Sequence, residues 1–200
     1  MNTGPKTFVD HRSPNPRSWI RGLHAAVAIT ALVVMLLPAT AWAHPQTRDG
    51  FFIGLGLAKG SAALDFGSGS TDRESGTGGS FRLGWTVNPK FALGLENNSW
   101  FTSSDVAVAA IGVTTLAASF YPAEGLVLRG GMGAGYEGAA SDGLGGDAGF
   151  GWTIGTAYEF RVARSFAIGP QIDYTHVSLS SADANFYNVG LSMNWYFIPK

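Results

Sequence analysis

Cysteine is absent from this chain of 200 residues, and charged residues are scarce. Without cysteine there is no disulfide framework, no thiol chemistry and no lipid attachment to a mature N-terminal cysteine. Charged residues make up 14% of the chain, whereas about 25% is usual in soluble domains. After residue 43, no apolar run approaches the roughly 20 residues that a membrane helix needs. These absences favour strands in which apolar side chains alternate with small or polar ones.

The first 43 residues have the pattern of a secretory signal peptide. A basic start is followed by an apolar run from Ala25 to Leu37, and the segment ends on Ala-Trp-Ala at 41–43. These three parts are typical of a signal peptide, so we predict cleavage after Ala43. A helical membrane anchor is the alternative, but the run is too short and Pro38 interrupts it. The remaining length, 44–200, suits one domain.

The segment 44–200 is acidic. It keeps nine of the 13 basic residues and 13 of the 14 acidic ones, which gives a net charge of −4. A negative domain has no electrostatic reason to bind nucleic acid.

The clearest strand lies at the C-terminal end, from Phe186 to Phe197. Successive side chains of a strand point to opposite faces. Here one face is bulky and apolar, and it consists of Tyr187, Val189, Leu191, Met193, Trp195 and Phe197. The other face is small or polar. A strand of this kind that ends in aromatic residues near the chain terminus is typical of an outer-membrane β-barrel.

The same alternation recurs upstream and predicts eight strands in all. Their ranges are 51–64, 79–87, 91–101, 106–121, 126–137, 150–160, 166–178 and 186–197. We predict long polar loops over 67–78 and 138–146, after strands one and five, and tight turns after the even strands. Short turns on the periplasmic side and longer loops outside are typical of small membrane barrels. An even strand number places both chain ends in the periplasm.

The bulky face is predicted to point outward. The lumen of an eight-stranded barrel is just wide enough for side chains, so small residues fit there and many Phe, Trp and Leu would overfill it. Aromatic residues near the strand ends, Trp100 and Phe101 among them, predict two girdles at the membrane interfaces. The alternative is a soluble, lipocalin-like barrel with an apolar lumen. We therefore predict an all-β fold, an eight-stranded antiparallel up-and-down transmembrane β-barrel.

Two segments carry a resemblance to a known family. These are FYPAEGLVLRGGMGAGYE at 120–137 and VGLSMNWYF at 189–197. With the signal peptide and the eight strands, the region 49–197 resembles the OmpA/OmpX-like outer-membrane β-barrel superfamily. The resemblance implies a location in the bacterial outer membrane, contact with its lipid and lipopolysaccharide, and recognition of the C-terminal strand by the barrel-assembly machinery. It implies a structural or surface-binding role rather than catalysis, with an extracellular ligand at the loops.

Six ionisable residues fall on the predicted lumen face: Arg82, Glu96, Arg129, Glu137, Glu159 and Asp173. Charges held inside a barrel must be paired or hydrated, because an unpaired buried charge is very costly. One interpretation is a polar plug that opens into a narrow solute pore. We favour the other, a permanent network that fills the lumen.

His176 and Ser178 raise the possibility of an enzyme. Two residues apart, they share one face of a strand, and outer-membrane lipid A deacylases have a similar His-x-Ser pair. In those enzymes an Asn follows the serine and a Glu lies about one strand further on. Here Leu179 follows, and 186–197 contains no acid. A serine nucleophile needs a base and a group that orients it, so we expect no enzyme.

Two further motifs are weak. The glycines at 131, 133 and 135 imitate a nucleotide loop, but they lie inside a strand, and no helix follows. Asp142 and Asp147 lie in a glycine-rich loop without the spacing of a defined calcium motif. We therefore expect neither a cofactor nor a metal site.

Overall fold

The computed structural model describes residues 48–67, 69–103, 108–139, 146–180 and 182–197. The predicted signal peptide lies outside these residues. These residues form nine strands: β1 Gly50–Asp65, β2 Glu74–Asn88, β3 Phe91–Ser103, β4 Val108–Phe120, β5 Leu126–Ala139, β6 Ala148–Tyr158, β7 Phe160–Ala163, β8 Phe166–Ser178 and β9 Asp183–Phe197. Within the described part of the chain, no helix is long and apolar enough to cross a bilayer.

The strands form one closed antiparallel barrel. Apart from β6 and β7, which do not pair with each other, consecutive strands pair with one another, and β1 also pairs with β9. β6 and β7 occupy one position, because both pair with β8. The barrel therefore has eight strand positions, as predicted.

The break between β6 and β7 has a local cause. Tyr158 and Glu159 lie opposite Pro170 and Gly169 of β8, where the pairing stops after Ala157 and resumes at Phe160. Proline has no backbone N–H, so it cannot donate to the ladder at this point. The predicted sixth strand, 150–160, is therefore interrupted near its end.

The strands are strongly tilted. Following hydrogen-bonded partners once around the barrel from Ile53 leads back to β1 at Ala63, ten residues further along. Such a stagger accompanies the tilt of 35–45° that closed barrels adopt. Each row of partners thus runs obliquely from the end of the barrel where β1 begins and β9 ends toward the opposite end, which carries the loops.

The outward faces are apolar, as predicted. Large exposed hydrophobic side chains occur on every full-length strand, among them Leu57, Trp85, Leu93, Leu116, Met132, Ile154 and Leu191. The facing predicted for the fourth strand is confirmed, since Leu116 and Phe120 are exposed. The predicted loop over 67–78 is too long: β2 begins at Glu74, and residues 74–78 pair with 58–62 of β1.

Candidate functional site

The barrel interior is filled in three layers. Apolar side chains occupy the two ends, and charged and amide side chains lie between them. Along β3, the inward-facing side chains include Ala92 in the first layer, Glu96 in the second and Trp100 in the third. Along β8, the corresponding side chains are Ala167, Asp173 and Val177. We call the layers lower, ionic and upper, with the lower layer at the end of the barrel where β1 begins and β9 ends.

The upper layer closes the loop end of the lumen. Its members are Ala62, Trp100, Ile111, Val113, Val177, Leu179, Ala184 and Phe186, none more than 9% exposed. Trp100 is only 3% exposed and points inward. Its predicted place in an outer aromatic girdle is therefore wrong, whereas Phe101, the next residue, is 41% exposed on the outer wall.

Bare glycines opposite the large side chains make this layer possible. An added Cβ at Gly78 would overlap the side chain of Asn188, and one at Gly76 would overlap the indole of Trp100. Because these positions of β2 lack side chains, the indole of Trp100 on β3 and the amide of Asn188 on β9 fit against its inner face.

The lower layer closes the other end. It consists of Phe52, Ala92, Tyr121, Val127, Ala157, Ala167 and Tyr196, all buried. Glu159 lies beside it and is 2% exposed. The Tyr196 hydroxyl donates to the Glu159 carboxylate at 2.8 Å, and Asn194 Nδ2 donates to it at 3.1 Å.

Arg48 reaches this carboxylate from outside the sheet. Its Nη2 atom lies 3.5 Å from Glu159 Oε2, and its guanidinium lies over the ring of Tyr121, 3.9 Å from the centroid. Burial and the nearby Glu159 raise the pKa of Tyr121, which lies in the turn after β4, to about 12. Arg48, two residues before the start of β1, thus helps to close the lower end of the lumen.

Arg129 is the centre of the ionic layer. Its Nη2 atom donates to Asp173 Oδ1 at 2.5 Å and to Gln171 Oε1 at 3.2 Å, and its Nε atom lies 3.3 Å from Glu96 Oε1. Asn98 Nδ2 donates to the same Glu96 oxygen at 2.9 Å. One cation thus holds two carboxylates from opposite sides of the barrel.

Arg82 adds the second positive charge. It pairs across the ladder with Glu96 and interacts electrostatically with Glu96, Asp173 and Glu159. Its Nε and Nη2 atoms are buried and find no hydrogen-bond acceptor in the described residues. The ionic layer therefore combines two arginines, Arg82 and Arg129, with two carboxylates, Glu96 and Asp173.

The structure therefore brings together five of the six predicted lumen residues. Arg82, Glu96, Arg129 and Asp173 form the ionic layer, and Glu159 lies next to the lower layer. Glu137 stands apart: it is half-buried and lies opposite Ile111 of the upper layer. The inward amides, such as Asn98 and Gln171, were not singled out, although the same alternation of residues places them on the lumen face.

His176 and Ser178 lie on the outer wall, near the loop end. His176 Nε2 is 3.2 Å from Ser178 Oγ, and His176 Nδ1 is 2.8 Å from Asn185 Oδ1 on β9. The Tyr174 hydroxyl donates to the same Asn185 oxygen at 2.8 Å. Asn185 precedes the range 186–197 by one residue and pairs directly with His176, so the orienting group beside the imidazole is an amide that the sequence did not predict.

The loops offer no built cation site in the described residues. Asp142 lies outside them, and Asp147 accepts hydrogen bonds from Ser180 Oγ at 2.5 Å and from the N–H of Ala148. No group of three or more His, Cys, Asp or Glu side chains in the described segments could hold a metal ion.

Comparison with known proteins identifies the fold. No family model matches the sequence, and no curated protein matches it. The structure is similar to that of neisserial surface protein A, with a TM-score of 0.55 at 10% identity over 74% of this chain and 97% of that one. Ail, the attachment invasion locus protein of Yersinia pestis, matches with a TM-score of 0.48 at 16% identity over 74% and 99% of the two chains. The N-terminal barrel domain of Pseudomonas aeruginosa OprF matches with 0.45 at 12% identity over 74% and 98%. This chain therefore has the fold of the small eight-stranded outer-membrane β-barrels.

Proposed function

We propose that the protein is a sealed, non-enzymatic barrel of the bacterial outer membrane that supports the envelope or binds partners through its loops. The three-layered interior carries this proposal. Apolar layers end the lumen on both sides, and the charges between them are buried, with Arg129 paired to Glu96 and Asp173. A solute would have to displace both Trp100 and Tyr196, together with the residues around them.

The location follows from the outer wall. A closed barrel satisfies its backbone groups by ring closure, so its wall can face lipid. The exposed wall is rich in Leu, Phe, Trp and Met, which water would not favour over so large an area. β9 ends with Trp195, Tyr196 and Phe197, the terminal aromatic pattern that we propose the barrel-assembly machinery recognises.

Electrical recording tests the sealed lumen. The refolded protein is inserted into planar bilayers, and its insertion is verified by flotation with vesicles of the same lipid. We expect no discrete conductance from the wild type or from Arg82→Met, which removes a charge from the ionic layer. Single-channel steps whose ion selectivity changes in Arg82→Met would show that the lumen conducts, and they would overturn the proposal.

A second candidate function, an acyl hydrolase, rests on the group around Ser178. If the imidazole proton is on Nδ1, that nitrogen donates to Asn185 and Nε2 faces the serine hydroxyl as a general base. Asn185 carries no charge, so it orients the imidazole without stabilising the cation as an Asp or Glu does. Because of this difference, we propose the hydrolase only as the second candidate, after the sealed barrel.

Mass spectrometry of lipid A distinguishes the two candidates. A hydrolase removes an ester-linked acyl chain in cells that express the protein, and Ser178→Ala abolishes the loss. Ser75→Ala, an exposed serine at the same end of the barrel, is the matched control. The sealed-barrel proposal expects the same lipid A spectrum for all three proteins.

A further inference from the structure

One edge of the Arg82 guanidinium lacks an acceptor inside the barrel. The side chain projects into the lumen from β2, and the residue is 5% exposed. Its Nε and Nη2 atoms are buried, and neither donates to an acceptor among the described residues. These two nitrogens lie on the same edge of the planar group, which suits paired hydrogen bonds to one ligand. Because a buried polar group without a hydrogen bond is costly, this edge requires an acceptor.

Asn194 has the complementary deficit. It lies on β9 and is 1% exposed. Its Nδ2 atom donates to Glu159, whereas its Oδ1 atom is buried and accepts no hydrogen bond from the part of the chain that the structure describes. The lumen therefore holds an unsatisfied acceptor as well as an unsatisfied donor edge.

Gly54 shows that the two groups are close together. It lies on β1, and it pairs with Arg82 on one side and with Asn194 on the other. The point where a Cβ would stand on its inner face is 2.5 Å from Asn194 Oδ1 and 3.1 Å from Arg82 Nε. The separation of these two atoms therefore cannot exceed the sum of the two distances, yet they form no direct hydrogen bond. Two hydrogen bonds of about 2.9 Å each, through one bridging molecule, span such a separation.

The combination of a donor edge and an acceptor decides what kind of molecule bridges them. A chloride ion would accept hydrogen bonds from Arg82, but it would also face the Asn194 oxygen and lie near the Glu159 carboxylate. A metal cation would face the positive guanidinium. A neutral molecule that both accepts and donates suits the two groups. Water has this property, and it is small enough for a lumen filled by side chains.

We propose that one ordered water molecule binds between Arg82 and Asn194 above Gly54. It accepts hydrogen bonds from Nε and Nη2 of Arg82 and donates one to Asn194 Oδ1. Through this water, β2 is linked to β9 across β1, at the seam where the first and last strands close the barrel. The site goes beyond the sealed barrel proposed above, because it assigns a fixed ligand to the lumen and a strand-linking role to Arg82. It rests on that proposal only because sealed ends hold the water in place.

Two variants remove the two sides of the site. Arg82→Met keeps a long side chain but has no N–H donor, and Asn194→Leu keeps the branched shape but has no acceptor. Arg73→Met, which changes an exposed arginine at the loop end, is the matched control for the first variant. Asn97→Leu, which changes an asparagine on the outer wall of β3, is the control for the second.

A crystal structure at a resolution that shows ordered water tests the site directly. In the wild type and in both controls, we expect one density peak within about 3.2 Å of Arg82 Nε, Arg82 Nη2 and Asn194 Oδ1. We expect no such peak in Arg82→Met or Asn194→Leu. Oxygen-17 magnetic relaxation dispersion in detergent micelles checks the count in solution, where each of these two variants should lose one long-lived water relative to its control.

Three results would overturn the site. They are a direct hydrogen bond between Arg82 and Asn194 in place of the peak, an anomalous signal at the peak after a bromide soak, which would show an anion, and a peak that persists in both variants. Detergent-gel mobility verifies that each variant is folded. A variant that does not fold is replaced by Gly54→Ala, whose Cβ would stand 2.5 Å from Asn194 Oδ1 and displace the water.

Electrical recording separates this site from the sealed barrel. Conduction by the wild type would refute the sealed barrel without removing a density peak at Arg82. An electrically silent protein that lacks the peak would refute the water site alone.

Discussion

Glu159 shows how a single residue supports the lower end of the barrel. It lies at the break between β6 and β7, and its carboxylate accepts hydrogen bonds from Tyr196 and Asn194 and pairs with Arg48. Its own backbone N–H donates to the carbonyl of Gly125 in the turn after β4. One buried acid therefore connects the residue before β1, the turn after β4, and β9.

Glu159→Gln should destabilise the barrel by about 3 kcal/mol, because it leaves a buried cation without its carboxylate. Glu124→Gln, an exposed acid in the neighbouring turn, should change stability by less than about 0.5 kcal/mol. The measurement is the urea midpoint of unfolding in lipid vesicles. Equal midpoints for the two variants would contradict the role given to Glu159.

Tyr121 makes a prediction about alkaline pH. Its pKa is about 12 in the folded protein and about 10 in an unfolded chain. Between these values the folded state keeps a proton that the unfolded state loses, so the free energy of unfolding falls as the pH rises from 10 to 12. The loss reaches roughly 3 kcal/mol.

Urea midpoints measured from pH 9 to pH 12 check this effect. Tyr121→Phe should flatten the decline, whereas Tyr187→Phe, on the outer wall, should leave it unchanged. A wild-type midpoint that stays constant over this range would show that Tyr121 ionises as freely in the barrel as in the unfolded chain.

At the residue scale, the sequence predicted which side chains face the lumen, but it did not predict which of them contact one another there. The alternation of Arg82, Glu96, Arg129 and Asp173 with bulky neighbours placed them in the lumen. Trp100 was misplaced because aromatic residues near strand ends usually lie at membrane interfaces. Its inward position follows the alternation along β3, and Gly76 of the neighbouring strand β2 leaves room for the indole.

At the scale of strands, Pro170 and the β6–β7 break define a weak point in the wall. The other full-length strands keep their ladders over ten or more residues, whereas the sixth position, shared by β6 and β7, is interrupted opposite Pro170 of β8. The gap lies beside Glu159, whose inward side chain stabilises the surrounding segment.

Pro170→Val should restore the missing donor and join β6 to β7. We expect a gain of about 1 kcal/mol, the net contribution of one hydrogen bond, and slower amide exchange at 158–160. Pro122→Ala, in the exposed turn after β4, is the comparison variant and should not alter exchange there. Unchanged exchange in Pro170→Val would mean that Glu159, rather than the proline, maintains the break.

The sequence predicted the presence of each full-length strand, but it predicted less well the residues at which the strands begin and end. The segment 74–78 contains Glu, Ser, Thr and two glycines, a composition that is typical of a loop. It extends β2 because 58–62 of β1 supplies a partner for each residue. Long-range pairing overrides the local preference here, and only the register of the closed barrel reveals it.

At the scale of the whole molecule, a closed ladder should make the barrel resistant to detergent. We expect the unheated protein to migrate differently from the boiled protein on a detergent gel, because boiling is needed to open the ring of eight strand positions. A chain that migrates identically in both conditions and is soluble in the periplasm would favour a lipocalin-like protein with an apolar lumen.

The contact between Arg48 and Glu159 has a consequence for the order of assembly. The two residues are 111 positions apart in the chain, and one precedes the first strand while the other follows most of the sixth. Loop closure over such a separation is entropically costly until the strands between them are arranged. This ion pair should therefore form late, and a fluorescent probe beside residue 48 would report the time at which the ring closes rather than the time at which individual hairpins appear.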